Sequence, residues 1–276
     1  MNPAEENSST MVENEPGSEQ QNKVYHLKPF AAPARDLNPR QPLTWLKLGW
    51  ADFCKARGLS LSWGLVCVIL FAVVAWSAWL LGRWILLISV LSGFIFIAPL
   101  MAFALYSVSR QHAMGQSPSL VQTLRAARKP FSNSLVFALI LLVIFLLWAR
   151  AGSMVHIFFP TDESPGLLGL VTFLAVGSAV GSVFAAVTFA CSAFSLPFIA
   201  NRDVDVVTAV VSSINAVLRN KWTMLIWVSI IVLFTGLSLL TGLLGFVITI
   251  PWLAYASWHG YRAALDVSGW PVLSLD

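Results

Sequence analysis

The sequence is poor in charge. Asp, Glu, Lys and Arg supply only 11% of its 276 residues, against about 25% in a soluble globular domain, which excludes a water-soluble fold. Acid and amine are scarcer still in the long apolar stretches, where no Asp, Glu or Lys occurs. Intramembrane ionisable groups are the usual mark of an ion or proton path, so ion-coupled transport is disfavoured. The three Cys, at positions 54, 67 and 191, form no CxxC pair and no cluster of metal-ligand spacing with His. No nucleophile elbow, phosphate loop, paired carboxylates or HExxH is present. No catalytic, cofactor-binding or metal-binding residue is therefore assigned, no cofactor is expected, and the balance is against an enzyme.

Apolar residues are abundant: 57% of the chain, with 12 Trp and 18 Phe and a mean hydropathy of +0.75. Stretches near 60–81, 84–106, 134–158, 167–192, 222–240 and 243–259 each approach the roughly 20 residues that span about 30 Å of hydrocarbon. An all-α polytopic membrane protein with six transmembrane helices is expected. Fifteen Lys and Arg fall on the side of the termini and two, Arg83 and Arg150, on the other. Basic loops stay in the cytoplasm, so both termini are expected there. The net charge of +4 is spread over several loops rather than gathered on one face, and no nucleic acid partner is expected.

Residues 1–41 read as a disordered cytoplasmic tail, acidic at first and basic from Lys23 onward. Residues 42–265 form the membrane domain and 266–276 a short C-terminal tail. Within the domain a tetrapeptide recurs, at Pro99-Leu100-Met101-Ala102, Pro197-Phe198-Ile199-Ala200 and Pro251-Trp252-Leu253-Ala254. In the first and third copies Phe103 matches Tyr255, Tyr106 matches Trp258 and Arg110 matches Arg262. A short amphipathic segment precedes each hairpin: 42–57, with Leu43, Leu46, Trp50 and Phe53 on one face; 118–129, with Leu120, Leu124 and Ala127; and 204–218, with Val204, Val207, Val211, Ile214 and Leu218. Pro42 starts the first and Gly58 can end it. Three parallel repeats, about 42–112, 117–202 and 203–262, are expected, each an interfacial helix followed by a two-helix hairpin.

Few residues invite a chemical role. The repeat prolines read as kinks, and Gly177, Gly181 and Ala185 as a packing stripe. Arg83, beside Trp79 and Trp84, reads as an interfacial anchor, and Arg150 as a group that snorkels to the outer interface. Both are candidate lipid or anion contacts. His112, His259 and Arg262 form a candidate cytoplasmic-face site, which as an enzyme would need a carboxylate such as Asp52 or Asp266, while His156 falls on the outer side.

The run Pro42-Leu43-Thr44-Trp45-Leu46-Lys47-Leu48-Gly49-Trp50-Ala51-Asp52-Phe53, then Gly58-Leu59-Ser60-Leu61, Trp63-Gly64 and the closing Trp258-His259-Gly260-Tyr261-Arg262, resembles a bacterial family of predicted integral membrane proteins catalogued as a domain of unknown function. The likeness covers about residues 40–265. It implies an inner-membrane location and carries over neither activity nor functional residues. The expected role is a non-catalytic component that binds membrane lipids or another membrane protein. The alternative is a permease or channel for a small apolar or amphipathic solute, passing through the bundle centre without ion coupling.

Overall fold

The computed structural model describes residues 30–80, 100–118, 121, 123, 131–158 and 167–273. They are helical: α1 (Gln41–Lys55), α2 (Arg57–Leu80), α3 (100–113), α4 (Phe131–Phe158), α5 (Leu167–Ser192), α6 (Ser195–Asn201), α7 (Val206–Arg219), α8 (Lys221–Leu240) and α9 (Phe246–Ala264). Four candidate spans, Arg57–Ser77, Ser132–Met154, Leu167–Asn201 and Lys221–Leu240, are long and apolar enough to cross a membrane. The expected span at 84–106 is described only from residue 100. That at 243–259 appears as α9, which carries His259 and Arg262 and is not among the four. Pro99, Arg83, residues 1–29 and all of the expected interfacial segment at 118–129 except Pro118, Val121 and Thr123 lie outside the described residues.

The centre of the fold is the packing of α9 against α1 and α2. A Cβ on Gly49 of α1 would come within 2.6 Å of the Ala256 backbone nitrogen, and one on Gly260 within 3.0 Å of the Trp45 ring. The two contacts step four residues along each helix in opposite senses, so α1 and α9 run antiparallel in near backbone contact. Pro251 governs the other side of α9. It has no N–H, so the Val247 carbonyl lacks its usual helical donor, and that carbonyl is what lies against Gly64 of α2. The expected kink proline thus faces a backbone acceptor toward a glycine.

Of the amphipathic faces read from the sequence, Phe53 and Val204 are buried, whereas Leu43, Trp50, Val207 and Leu218 face outward. On α1 the buried stripe is Pro42, Trp45, Gly49, Asp52 and Phe53, while Leu43 and Trp50 are exposed. On α7 it is Val206, Thr208, Ala209, Ser212, Ser213 and Ala216, and Val207 and Leu218 are exposed. In lipid the largest apolar side chains gain nothing by turning inward, whereas small and hydroxyl-bearing residues let helices approach and bond. Gly58 is likewise not the end of α1: the break falls at Ala56, and Gly58 already lies in α2.

Pro197 coincides with a true interruption, where α5 stops at Ser192 and α6 starts at Ser195. Ser213 of α7 fills the gap: its hydroxyl accepts from the Phe194 N–H at 3.0 Å and donates to the Ala190 carbonyl at 2.8 Å. The two repeat prolines that can be compared therefore sit in different backbones. Of the expected glycine stripe, a Cβ on Gly181 would meet the Trp148 ring nitrogen at 3.9 Å, and one on Gly177 would meet nothing within 4 Å among the described residues.

Ordered structure begins before the expected boundary at residue 42. Ala32 donates its N–H to Ser212 at 2.8 Å, Leu37 to the Asn220 side chain at 2.8 Å, and Arg219 grips Asp36 through two bonds of 2.7 and 2.9 Å. Segments 30–40 and 265–273 pair at Ala34 and Leu265 and lie across the ends of α6, α7 and α9.

A Gly64→Ala side chain would stand 2.7 Å from the Val247 carbonyl carbon. It should cost about 1–3 kcal/mol by overpacking. Gly58→Ala, which meets nothing within 4 Å, should leave the thermal midpoint in detergent micelles unchanged or slightly raised. Equal midpoints for both variants would contradict the close approach.

Candidate functional site

Between residues 37 and 161 the chain has a single acidic residue, Asp52. It sits in the last turn of α1, where the helix dipole disfavours a negative charge, and it is 5% exposed. Such a carboxylate needs partners from elsewhere, and the close crossing of α1 and α9 supplies the first. His259 lies three residues beyond Ala256, and its Nε2 stands 2.9 Å from Asp52 Oδ2. α3 supplies two more from one face, three residues apart: the Ser109 hydroxyl donates to Oδ2 at 2.8 Å, and His112 Nδ1 stands 3.4 Å from Oδ1, in ion-pair range but outside hydrogen-bond geometry.

Below this cluster Tyr255 and Ser60 join α9 to α2 at 2.8 Å. Ser60 also donates to the Ala56 carbonyl at 2.8 Å. A hydroxyl has one proton, so the Tyr255 phenol donates to Ser60. Three helices, α1, α3 and α9, are thus tied through one buried carboxylate, with α2 tied to α9 alongside.

Burial works against charge on Asp52, but the hydrogen bonds from His259 and Ser109 and the nearness of both imidazoles outweigh it, so its carboxyl titrates below the ordinary value. Burial also pushes the His112 imidazole below its usual 6.5; Lys55 adds to this, and the opposing pull of Asp52 does not prevail. A cavity of about 390 Å³, walled by Lys55, Arg57, His112 and Gln116, opens beside the cluster. The arrangement can take up a proton at His112. Among the described residues no group of three His, Cys, Asp or Glu is placed to hold a metal ion.

The candidate residues read from the sequence are divided by the fold. His112 and His259 meet on Asp52. Arg262, three residues further along α9, faces a different cavity, which it shares with Asp266. Arg150 is exposed on α4, eighteen residues past Ser132, about 27 Å along the helix, and takes part in no ion pair among the described residues. Arg83 lies outside the described residues, as does the side chain of His156. Sequence reasoning missed Ser109 and the buried Arg110. Their signal was their place on the helix of His112 within a stretch of low charge.

Residues 85–201 match the family model described as predicted integral membrane protein (DUF2189). This is a domain of unknown function, as the resemblance implied. The matched stretch contains Ser109 and His112 but neither Asp52 nor His259, and none of the runs at 42–64 and 258–262 that carried the resemblance. No curated protein and no solved structure matches the chain.

Unfolded, His112 takes its proton near 6.5, and in the fold only at lower pH. Between those values the unfolded chain binds more protons, so stability is full above 6.5 and is lost as pH falls through the folded value. Asp52 behaves the same way at lower pH, its contribution present above 3.8 and lost beneath. The thermal midpoint should be level above pH 7 and fall as the pH drops below 6.5, and His112→Asn should remove that fall. Asp52→Asn should cost about 1–3 kcal/mol at neutral pH, because Ser109 and His259 both bond Oδ2 and an amide replaces a charged acceptor with a weaker one. A flat profile in the parent chain would dismiss the coupling.

Proposed function

We propose that this integral membrane protein is a non-catalytic component that holds lipid or a partner protein at one polar end of its bundle. In this reading six spans form three parallel hairpins in a bacterial inner membrane, with both termini in the cytoplasm. The observation that carries it is the outward composition of α1 and α7. Leu43, Leu48 and Trp50 on α1, Val207 and Leu218 on α7, and Trp222 at the start of α8 are exposed. Lys47, Lys55, Arg219 and Lys221 are interleaved with them. Apolar side chains beside basic ones suit a helix lying at the boundary of hydrocarbon and anionic headgroups.

The buried carboxylate cluster supports a binding role over a chemical one, because Asp52 is already engaged by Ser109 and His259. The competing reading, passage of a small solute without ion coupling, needs a continuous polar channel. Against it stands the aromatic filling between α1, α8 and the α5–α6 break, where Trp45 packs edge-on against Trp227 at 5.6 Å and Phe194 at 6.4 Å.

Native mass spectrometry of the chain taken in lipid discs from its own membrane tests the reading. A stoichiometric lipid or polypeptide is expected, and reversing Lys47, Lys55 and Lys221 to Glu should reduce lipid retention several-fold. A chain that carries neither, and that speeds solute entry into proteoliposomes, would replace binding with permeation.

A further inference from the structure

A second cavity, of about 400 Å³, lies where α3, α6 and α9 end beneath segments 30–40 and 265–273. Four arginines wall it: Arg35, Arg110, Arg202 and Arg262. One carboxylate shares the wall, Asp266, and it stands 3.6 Å from Arg35. Among the described residues Arg110, Arg202 and Arg262 have no carboxylate within ion-pair distance.

These guanidiniums are built in. Arg110 is 3% exposed, donates to the Ala200 carbonyl at 3.3 Å and to that of Leu273. Arg202 donates to the Trp270 carbonyl at 2.8 Å. Carbonyls fix a guanidinium in place without neutralising it. Three N–H groups in this wall, Arg110 Nε, Arg202 Nε and Trp258 Nε1, are buried without a hydrogen-bond partner among the described residues. All three can only donate. Burial and the charge of Arg202 press Arg110 below its ordinary affinity for a proton, against a smaller opposing pull from Tyr261, so like charges here face one another. A wall of donors and positive charge selects a ligand that only accepts and is negative, with more oxygens than a carboxylate offers.

We propose that this cavity binds a phosphate group, carried by a lipid headgroup or by a soluble phosphate ester. It gives the binding reading its chemistry and rests on that reading only for the lipid source. The cavity volume leaves room beside the phosphate for the atoms that carry it.

The test uses the full chain in uncharged detergent micelles, titrated calorimetrically with inorganic phosphate and with short-chain phosphatidic acid, phosphatidylcholine serving as control. Arg262→Gln alters an exposed residue and leaves the buried ties intact. It should weaken phosphate binding about tenfold, the equivalent of one charge-assisted bond, and Arg202→Gln should weaken it further. Phosphatidic acid following the same pattern assigns the lipid source. Inorganic phosphate bound without phosphatidic acid assigns the soluble source, which upholds the site and removes lipid from the proposed function. Phosphatidic acid retained equally by the parent chain and both variants would overturn the site while leaving lipid binding intact. Absence of binding to either probe would overturn it as well. So would binding seen only in Asp276→Asn, because the cavity would then belong to a carboxylate of the chain itself.

Discussion

The near-backbone contact of α1 with α9 is the constraint on which the rest of the structure depends. Gly49 against Ala256 and Gly260 against Trp45 remove the layer of side chains that ordinarily separates two helices by 8–10 Å. That proximity brings Asp52 within 2.9 Å of His259, and α3 is then drawn in through Ser109 and His112. Pro251 extends the same logic to the opposite face of α9, where a carbonyl without a helical donor meets Gly64. A bulkier residue at any of these glycines would separate groups whose burial is acceptable only because they are paired.

Lipid as the surrounding solvent explains why the packing faces are small and polar. In water the Leu43 and Trp50 side of α1 would be the core and the Gly49 and Asp52 side the surface. Here the burial is reversed, since leucine against hydrocarbon is as well solvated as leucine against protein. Ser212 and Ser213 of α7 show the use made of the inward face. One accepts the Ala32 N–H, and the other bridges the interruption before Pro197.

Buried charge among the described residues lies toward the ends of helices and is sorted there into two kinds of setting. Around Asp52 the charges are complementary and close on one another. Around Arg110 and Arg202 they are of one sign and are held by carbonyls. The two settings are neighbours in sequence, since Ser109 and Arg110 are adjacent and His259 and Arg262 are one helical turn apart, yet adjacent side chains on a helix point to different neighbours.

Membrane class, the helical character and the approximate place of most helices were legible in the sequence, because the run length of apolar residues answers directly to bilayer thickness. His112, His259 and Asp52 were legible as candidates, because ionisable residues stand out where charge is rare. Which helix face turns inward was not legible, since periodicity reports where apolar residues recur but not whether water or lipid surrounds them. The separation of Arg262 from His259, and the convergence of Arg110 with Arg202 across ninety-odd residues of chain, were decided by packing alone. Those contacts depend on how closely two backbones approach, and that distance is a property of glycine and alanine at a crossing rather than of any local pattern.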